Sequence, residues 1–130
     1  MFILVLFFSA YHNVAIAAND ENELPIVPEG FAVDVVASEP LVSNPCVMAF
    51  DRHGRLFVAQ GQQWRSPTPE TPGDRVVMLI DDDGDGRADR THTFAEGLNC
   101  IQGLAFRGDQ LFIANAPDFT VVRDTDGDDV

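Results

Sequence analysis

The strongest constraint on this chain is that it repeats itself. The acidic turn DDDGDGRAD at Asp81–Asp89 is answered 43 residues later by a partial copy, DTDGDDV, at Asp124–Val130. Each copy follows an apolar, β-branched stretch: Val76-Val77-Met78-Leu79-Ile80 before the first, Phe119-Thr120-Val121-Val122 before the second. A second pair of segments recurs as well. Met48-Ala49-Phe50 and Leu56-Phe57-Val58-Ala59 are answered by Leu104-Ala105-Phe106 and Leu111-Phe112-Ile113-Ala114, offset by 56 and 55 residues. The Gly61–Asp74 loop, which lengthens the first copy, accounts for the difference between the offsets. Short strands recurring at about 40 to 45 residues have the period of a propeller blade.

Local patterning agrees with an all-β chain. Phe31, Val33 and Val35 alternate with Ala32, Asp34 and Val36, which suits one strand. Val47–Phe50 and Leu56–Ala59, joined by Asp51-Arg52-His53-Gly54, form a hairpin, as do Gly103–Phe106 and Leu111–Ala114 around Arg107-Gly108-Asp109. Strands at 47–50, 56–60, 75–80 and 91–95 make one four-stranded blade, and those at 103–106, 110–115 and 119–123 begin another. Strand 31–37 is expected as an outer strand that completes the last blade of a ring. Propellers need four to eight blades, so the chain is read as the N-terminal part of a longer β-propeller whose remaining blades close the ring. The alternative is a short chain that assembles into rings. The Gly61–Asp74 segment, with three prolines and Trp64, is expected as a surface loop.

Charge narrows the partners. The chain carries 21 acidic and 8 basic residues, all eight of them arginine, for a net charge of −13. Such a field repels nucleic acid and anionic lipid and attracts divalent cations. Residues 1–18 read as a signal peptide, with the apolar run Phe2–Phe8 and the small-x-small pattern Ala15-Ile16-Ala17, although no Arg or Lys precedes the run. A buried strand or a short membrane anchor is the other reading, but the run falls short of the roughly 20 residues that span a bilayer. Residues 19–30 then form a polar linker and 31–130 the propeller part, in a periplasmic or extracellular protein. In that compartment Cys46 and Cys100 are either a disulfide or two free thiols. No C-x-x-C-H motif is present to attach a c-type haem.

The acidic turn has the chemistry of a calcium loop. Asp81, Asp83 and Asp85 alternate, so three carboxylates can converge. Gly86 permits the turn, the Arg87 carbonyl can add an oxygen, and Asp89 can close the shell. Two departures separate it from an EF-hand: His92 stands where the bidentate glutamate belongs, and strands flank the loop. A structural site binding on the order of 10⁻⁴ to 10⁻³ M is expected rather than a sensor. An Asp-Gly turn without an ion is the alternative. Asp124, Asp126 and Asp128 preserve the alternation in the second copy, but Asp129 replaces the glycine.

The runs LPIVPEGFAVDVVASEPLVSNPCVMAFDRHGRLFVAQ and DDDGDGRADRTHTFAEGLNCIQGLAF resemble the membrane-bound dehydrogenase domain of planctomycete-type bacteria. That domain is similar in turn to the glucose and sorbosone dehydrogenase β-propellers. The resemblance runs from about Leu24 to the end of the chain and rests on the P-x-G-F opening, the M-A-F-D…G-R-L-F-V hairpin and the D-x-D-G-D-G-R-x-D turn together. It implies an exported propeller, an oxidoreductase using pyrroloquinoline quinone on a sugar substrate, and an electron acceptor. The catalytic histidine and cationic quinone contacts of those relatives match no motif here. Asn99 and Gln102, in a loop leading into an inner strand, are the candidates for cofactor contact, since amides offer both donors and acceptors. The alternative is that both amides satisfy loop backbone. His12, His53 and His92 have no partner that sequence names and read as solvated; Trp64 could stack on a sugar or pack under its loop. The competing class is a non-enzymatic, calcium-stabilised propeller that binds glycans or protein partners.

Overall fold

The computed structural model describes residues 3–7, 24–62, 71–125 and 127. Every regular element among them is a strand. β1 (Ile3–Phe7) pairs antiparallel with β2 (Ala32–Ala37). A four-stranded antiparallel meander follows: β3 (Pro45–Phe50), β4 (Leu56–Gln60), β5 (Asp74–Ile80) and β6 (Arg90–Leu98). The next sheet has three strands: β7 (Ile101–Arg107), β8 (Gln110–Asn115) and β9 (Asp118–Arg123). This is a partial propeller-like arrangement with one complete four-stranded blade and most of a second. β2 to β9 begin and end within a few residues of the positions read from sequence, whereas β1 falls in the stretch read as a signal peptide. β5 starts one residue early, at Asp74, and that residue proves important.

Period-two alternation explains the packing. Side chains on successive strand residues point to opposite faces, and the first sheet is covered on both. One face presents Phe57, Ala59, Val76, Met78 and Phe94, which bury against Ile101, Leu111 and Ile113 of the second sheet. The other face presents Leu56, Val58, Val77 and Leu79, which bury against Ala37 and Val42, with Val36, Leu41 and Ala88 at the margin. Sheets covered on both sides need continuously apolar strands, and Leu56-Phe57-Val58-Ala59 is such a run. β2 therefore belongs to a layer beside the first sheet, and its Val36 O accepts the amide of Ala88, in the turn between β5 and β6, at 2.8 Å. That placement suits a strand of a neighbouring blade.

Phe57 is the centre of the inter-sheet core. Its ring meets Phe94 of its own sheet edge-on at 5.1 Å and Phe106 of the second sheet at 4.8 Å. The Arg55 guanidinium stands 5.6 Å from the same ring centroid. Burying such a side chain fully contributes about 1.5–3 kcal/mol.

The repeat is reproduced in backbone detail. Asn44 and Cys100, 56 residues apart, both take left-handed backbone, at φ of 44° and 48°. The pairing register then slips between Pro45 and Val47 in one copy and between Ile101 and Gly103 in the other. Each hairpin is closed by an equivalent bond: Gly61 N to Asn44 O at 3.0 Å, and Ala116 N to Cys100 O at 3.4 Å. A bulge leaves one residue of its strand outside the ladder and bends the strand; here those residues are Cys46 and Gln102.

Candidate functional site

The acidic turn joins β5 to β6, the pair of strands farthest from the second sheet in the pairing order. It is built by its own carboxylates. Asp81 accepts hydrogen bonds from Gly84 N at 2.7 Å and Gly86 N at 2.9 Å, while Asp83 Oδ1 accepts from Asp85 N at 3.2 Å. Asp85 Oδ1 accepts from Arg87 N at 2.8 Å, and Asp89 Oδ2 from Asp82 N at 2.8 Å. Gly84 and Gly86 stand at φ of 76° and 89°, a conformation that side chains resist.

Folding the turn this way brings one oxygen each of Asp81, Asp83 and Asp89 within 4.8 Å of one another. All three are exposed, so water can complete a coordination shell. Three hard carboxylate donors in an open site fit a hard divalent cation. Asp85 is not in that group, and Arg87 is placed by its amide on Asp85. The neighbouring Asp82 faces Arg90 in a two-pronged ion pair, at 2.8 and 2.9 Å. The Gly86 and Gly84 amides hold the Asp81 carboxyl below its ordinary range, and the Arg90 side chain does the same for Asp82.

The second turn repeats the first where it is described. Asp124 Oδ1 accepts from Gly127 N at 2.7 Å, the counterpart of Asp81 with Gly84, and Gly127 has a φ of 82°. Asp126 and Asp128 lie outside the described residues, as do Trp64 and His12.

At the opposite end of the sheets, polar groups are buried. Gln60, Asp74 and Asn115 sit among apolar neighbours, and Asp74 is 1% exposed. Its Oδ2 accepts the Ile101 amide at 3.0 Å, binding the start of β7 to the start of β5. Gln60 accepts from Arg75 Nε at 2.8 Å and donates to Leu41 O at 3.4 Å. Asn115 is its counterpart one repeat later, and its buried Oδ1 has no hydrogen-bond partner among the described residues.

Asn99 and Gln102 are exposed at this same end. Asn99 Nδ2 donates to Ala116 O at 2.6 Å, so its amide closes the hairpin, while Gln102 Nε2 reaches the Cys100 sulfur at 3.4 Å. Sequence reasoning missed Asp74, Gln60 and Asn115. The signal for the amides was present in Leu-Phe-Val-Ala-Gln and Leu-Phe-Ile-Ala-Asn, which end equivalent strands.

The histidines divide. His53 accepts from Arg52 Nε at 3.0 Å and caps a turn through its amide on Asp51. His92 is only partly exposed, and its buried Nε2 has no partner among the described residues, so the solvated state expected of it is corrected. Its position on β6 opposite Met78, inside a paired sheet, is the cause. Cys46 and Cys100 are both free thiols. Among the described residues no helix is long and apolar enough to cross a membrane.

No curated protein and no solved structure matches the chain. A family described as a domain of unknown function, DUF7133, matches it over residues 21–130, the whole stretch containing both sheets and both acidic turns. The chain belongs to that family.

Proposed function

We propose that this chain is part of an exported β-propeller related to quinone-dependent sugar dehydrogenases, in which the acidic turns hold structural calcium. One observation carries the enzymatic part. Gln60, Asp74 and Asn115 are each buried at the end of the sheets where Asn99 and Gln102 stand exposed. Buried polar groups are costly unless satisfied, and Asn115 keeps an acceptor unused. Pyrroloquinoline quinone, when bound, would accept two electrons and a proton from a sugar hydroxyl carbon. Asn99 and Gln102 would help to orient it, and other blades would supply the base and the cations. The test mixes the full-length propeller with pyrroloquinoline quinone, a panel of sugars and a dye as electron acceptor. Quinone binding with dye reduction is expected; the absence of both would overturn the proposal.

Calcium belongs to the same proposal at the other end of the sheets. Asp81, Asp83 and Asp89 would bind it and so pin the β5–β6 hairpin. Calorimetric titration should give a dissociation constant on the order of 10⁻⁴ to 10⁻³ M, with the heat abolished in Asp81→Asn and Asp89→Asn. Absence of heat and of any gain in melting temperature in the unmodified protein would remove the metal. Export, with cleavage after residue 18, is tested by N-terminal sequencing of the secreted protein; a chain still starting at Met1 would refute it.

A second reading is favoured by Asn99, whose amide is spent on the Ala116 carbonyl. The propeller would then be a non-enzymatic binder of glycans or proteins. Glycan-array binding without dye reduction would decide for it.

A further inference from the structure

Cys46 and Cys100 meet at the junction of the two sheets. Cys46 is the bulged residue of β3, and its Sγ lies 3.5 Å from the carbonyl oxygens of both Ala59 and Ile101. The sulfur thus reaches from its own sheet to the residue that directly follows Cys100. Cys100 stands on left-handed backbone at the head of β7, and β7 lies alongside β3. Neither cysteine is sealed from solvent. Partial burial pushes the Cys46 thiol up, and the nearby Asp74 adds to this.

The positions are informative. In the repeat, Cys46 corresponds to Gln102 and Cys100 to Asn44. The two cysteines therefore occupy different places in their respective copies. Across the junction those places face each other, because the bulge of one sheet adjoins the lead-in turn of the next. The contacts already holding this junction are the Asp74–Ile101 bond and the Phe57–Phe106 ring pair.

We propose that Cys46 and Cys100 are a redox-active pair that closes to an intramolecular disulfide when met by a small-molecule disulfide. One cysteine thiolate attacks the oxidant's S–S bond, forming a mixed disulfide and releasing one thiolate. The second cysteine thiolate then attacks the protein sulfur of that mixed disulfide and releases the other. Two protein thiols lose two electrons and two protons; the oxidant gains both and leaves as two thiols. The new bond staples the first strand of the second sheet to the first sheet.

The test is to equilibrate the 130-residue protein with oxidised glutathione, trap remaining thiols by alkylation and map the peptides by mass spectrometry. Expected are a Cys46–Cys100 cross-linked peptide within one chain and loss of both alkylatable thiols. A rise in melting temperature of roughly 10 °C should accompany them and be reversed by dithiothreitol. Cys46→Ser and Cys100→Ser should each take up one glutathione and lose that rise. Peptide mapping of the unmodified protein decides the matter even if a variant fails to fold. The proposal fails if both thiols stay alkylatable, if each carries its own glutathione without a cross-link, or if the cross-link joins two chains.

Discussion

Phe57 and Phe112 occupy the same position in successive copies and differ in what covers them. Phe57 is buried between two sheets, against Phe94 and Phe106. Phe112 is only partly buried and meets Phe119 at 6.1 Å on an open face. Truncating a buried phenylalanine costs about 3–5 kcal/mol, so Phe57→Ala should lose that much in urea unfolding, and Phe112→Ala clearly less. Equal losses would mean that Phe112 is covered after all. Asp51 offers a pH test. Its partial burial works to raise the carboxyl, but the Arg55 side chain at 2.7 Å and the amides of Arg55 and His53 outweigh this and hold it below its ordinary value. A depressed folded value means that the stabilisation is fully present above the unfolded carboxylate value, about 4, and is lost as pH falls through the folded one. Unfolding measured in steps below about pH 4 should therefore show a shallower acid loss in Asp51→Asn than in the unmodified protein.

The β5–β6 turn and the strands beside it show what an element owes to neighbours and what it owes to itself. Gly84→Ala and Gly86→Ala each put a side chain on left-handed backbone, which costs about 1–2 kcal/mol. Both should weaken calcium binding and speed exchange of the turn amides, read by NMR. The strands themselves were legible, because alternation and β-branched runs such as Val76–Leu79 leave few other options. The turn itself was legible too, since Asp and Gly at fixed offsets carry their geometry with them; the oxygens that approach within 4.8 Å are those of Asp81, Asp83 and Asp89. Asp85, expected among the converging carboxylates, lies outside the group of Asp81, Asp83 and Asp89, and its Oδ1 accepts the Arg87 amide at 2.8 Å instead. Asp74 was invisible in the sequence. An aspartate beside a proline-rich loop ordinarily faces water, and its burial depends on the Ile101 amide, 27 residues away. Asp74→Ala strands that amide in the core and should cost about 1–3 kcal/mol, measured by urea unfolding.

At the scale of the molecule the two sheets are unequally clothed. The first is packed on both faces along β4 and β5 and leaves Met48 44% and Phe50 50% exposed on its β3 edge, whereas the outer face of the second leaves Phe119 67% and Val121 47% exposed beside Phe112. By repeat position this face corresponds to the buried Phe57–Ala59 face, and uncovered apolar area of this kind drives association. Sedimentation velocity should show concentration-dependent self-association, reduced in Phe119→Ser combined with Val121→Thr. A protein that stays monomeric at all concentrations would show that the face tolerates water. The paired left-handed residues Asn44 and Cys100, with the register slips that follow them, have a consequence for ancestry. The lean of one sheet on the next is written within the first few residues of each sheet, ahead of any ring that might enforce it. A gene that duplicated this stretch would not have to invent a joint, because every copy would inherit one.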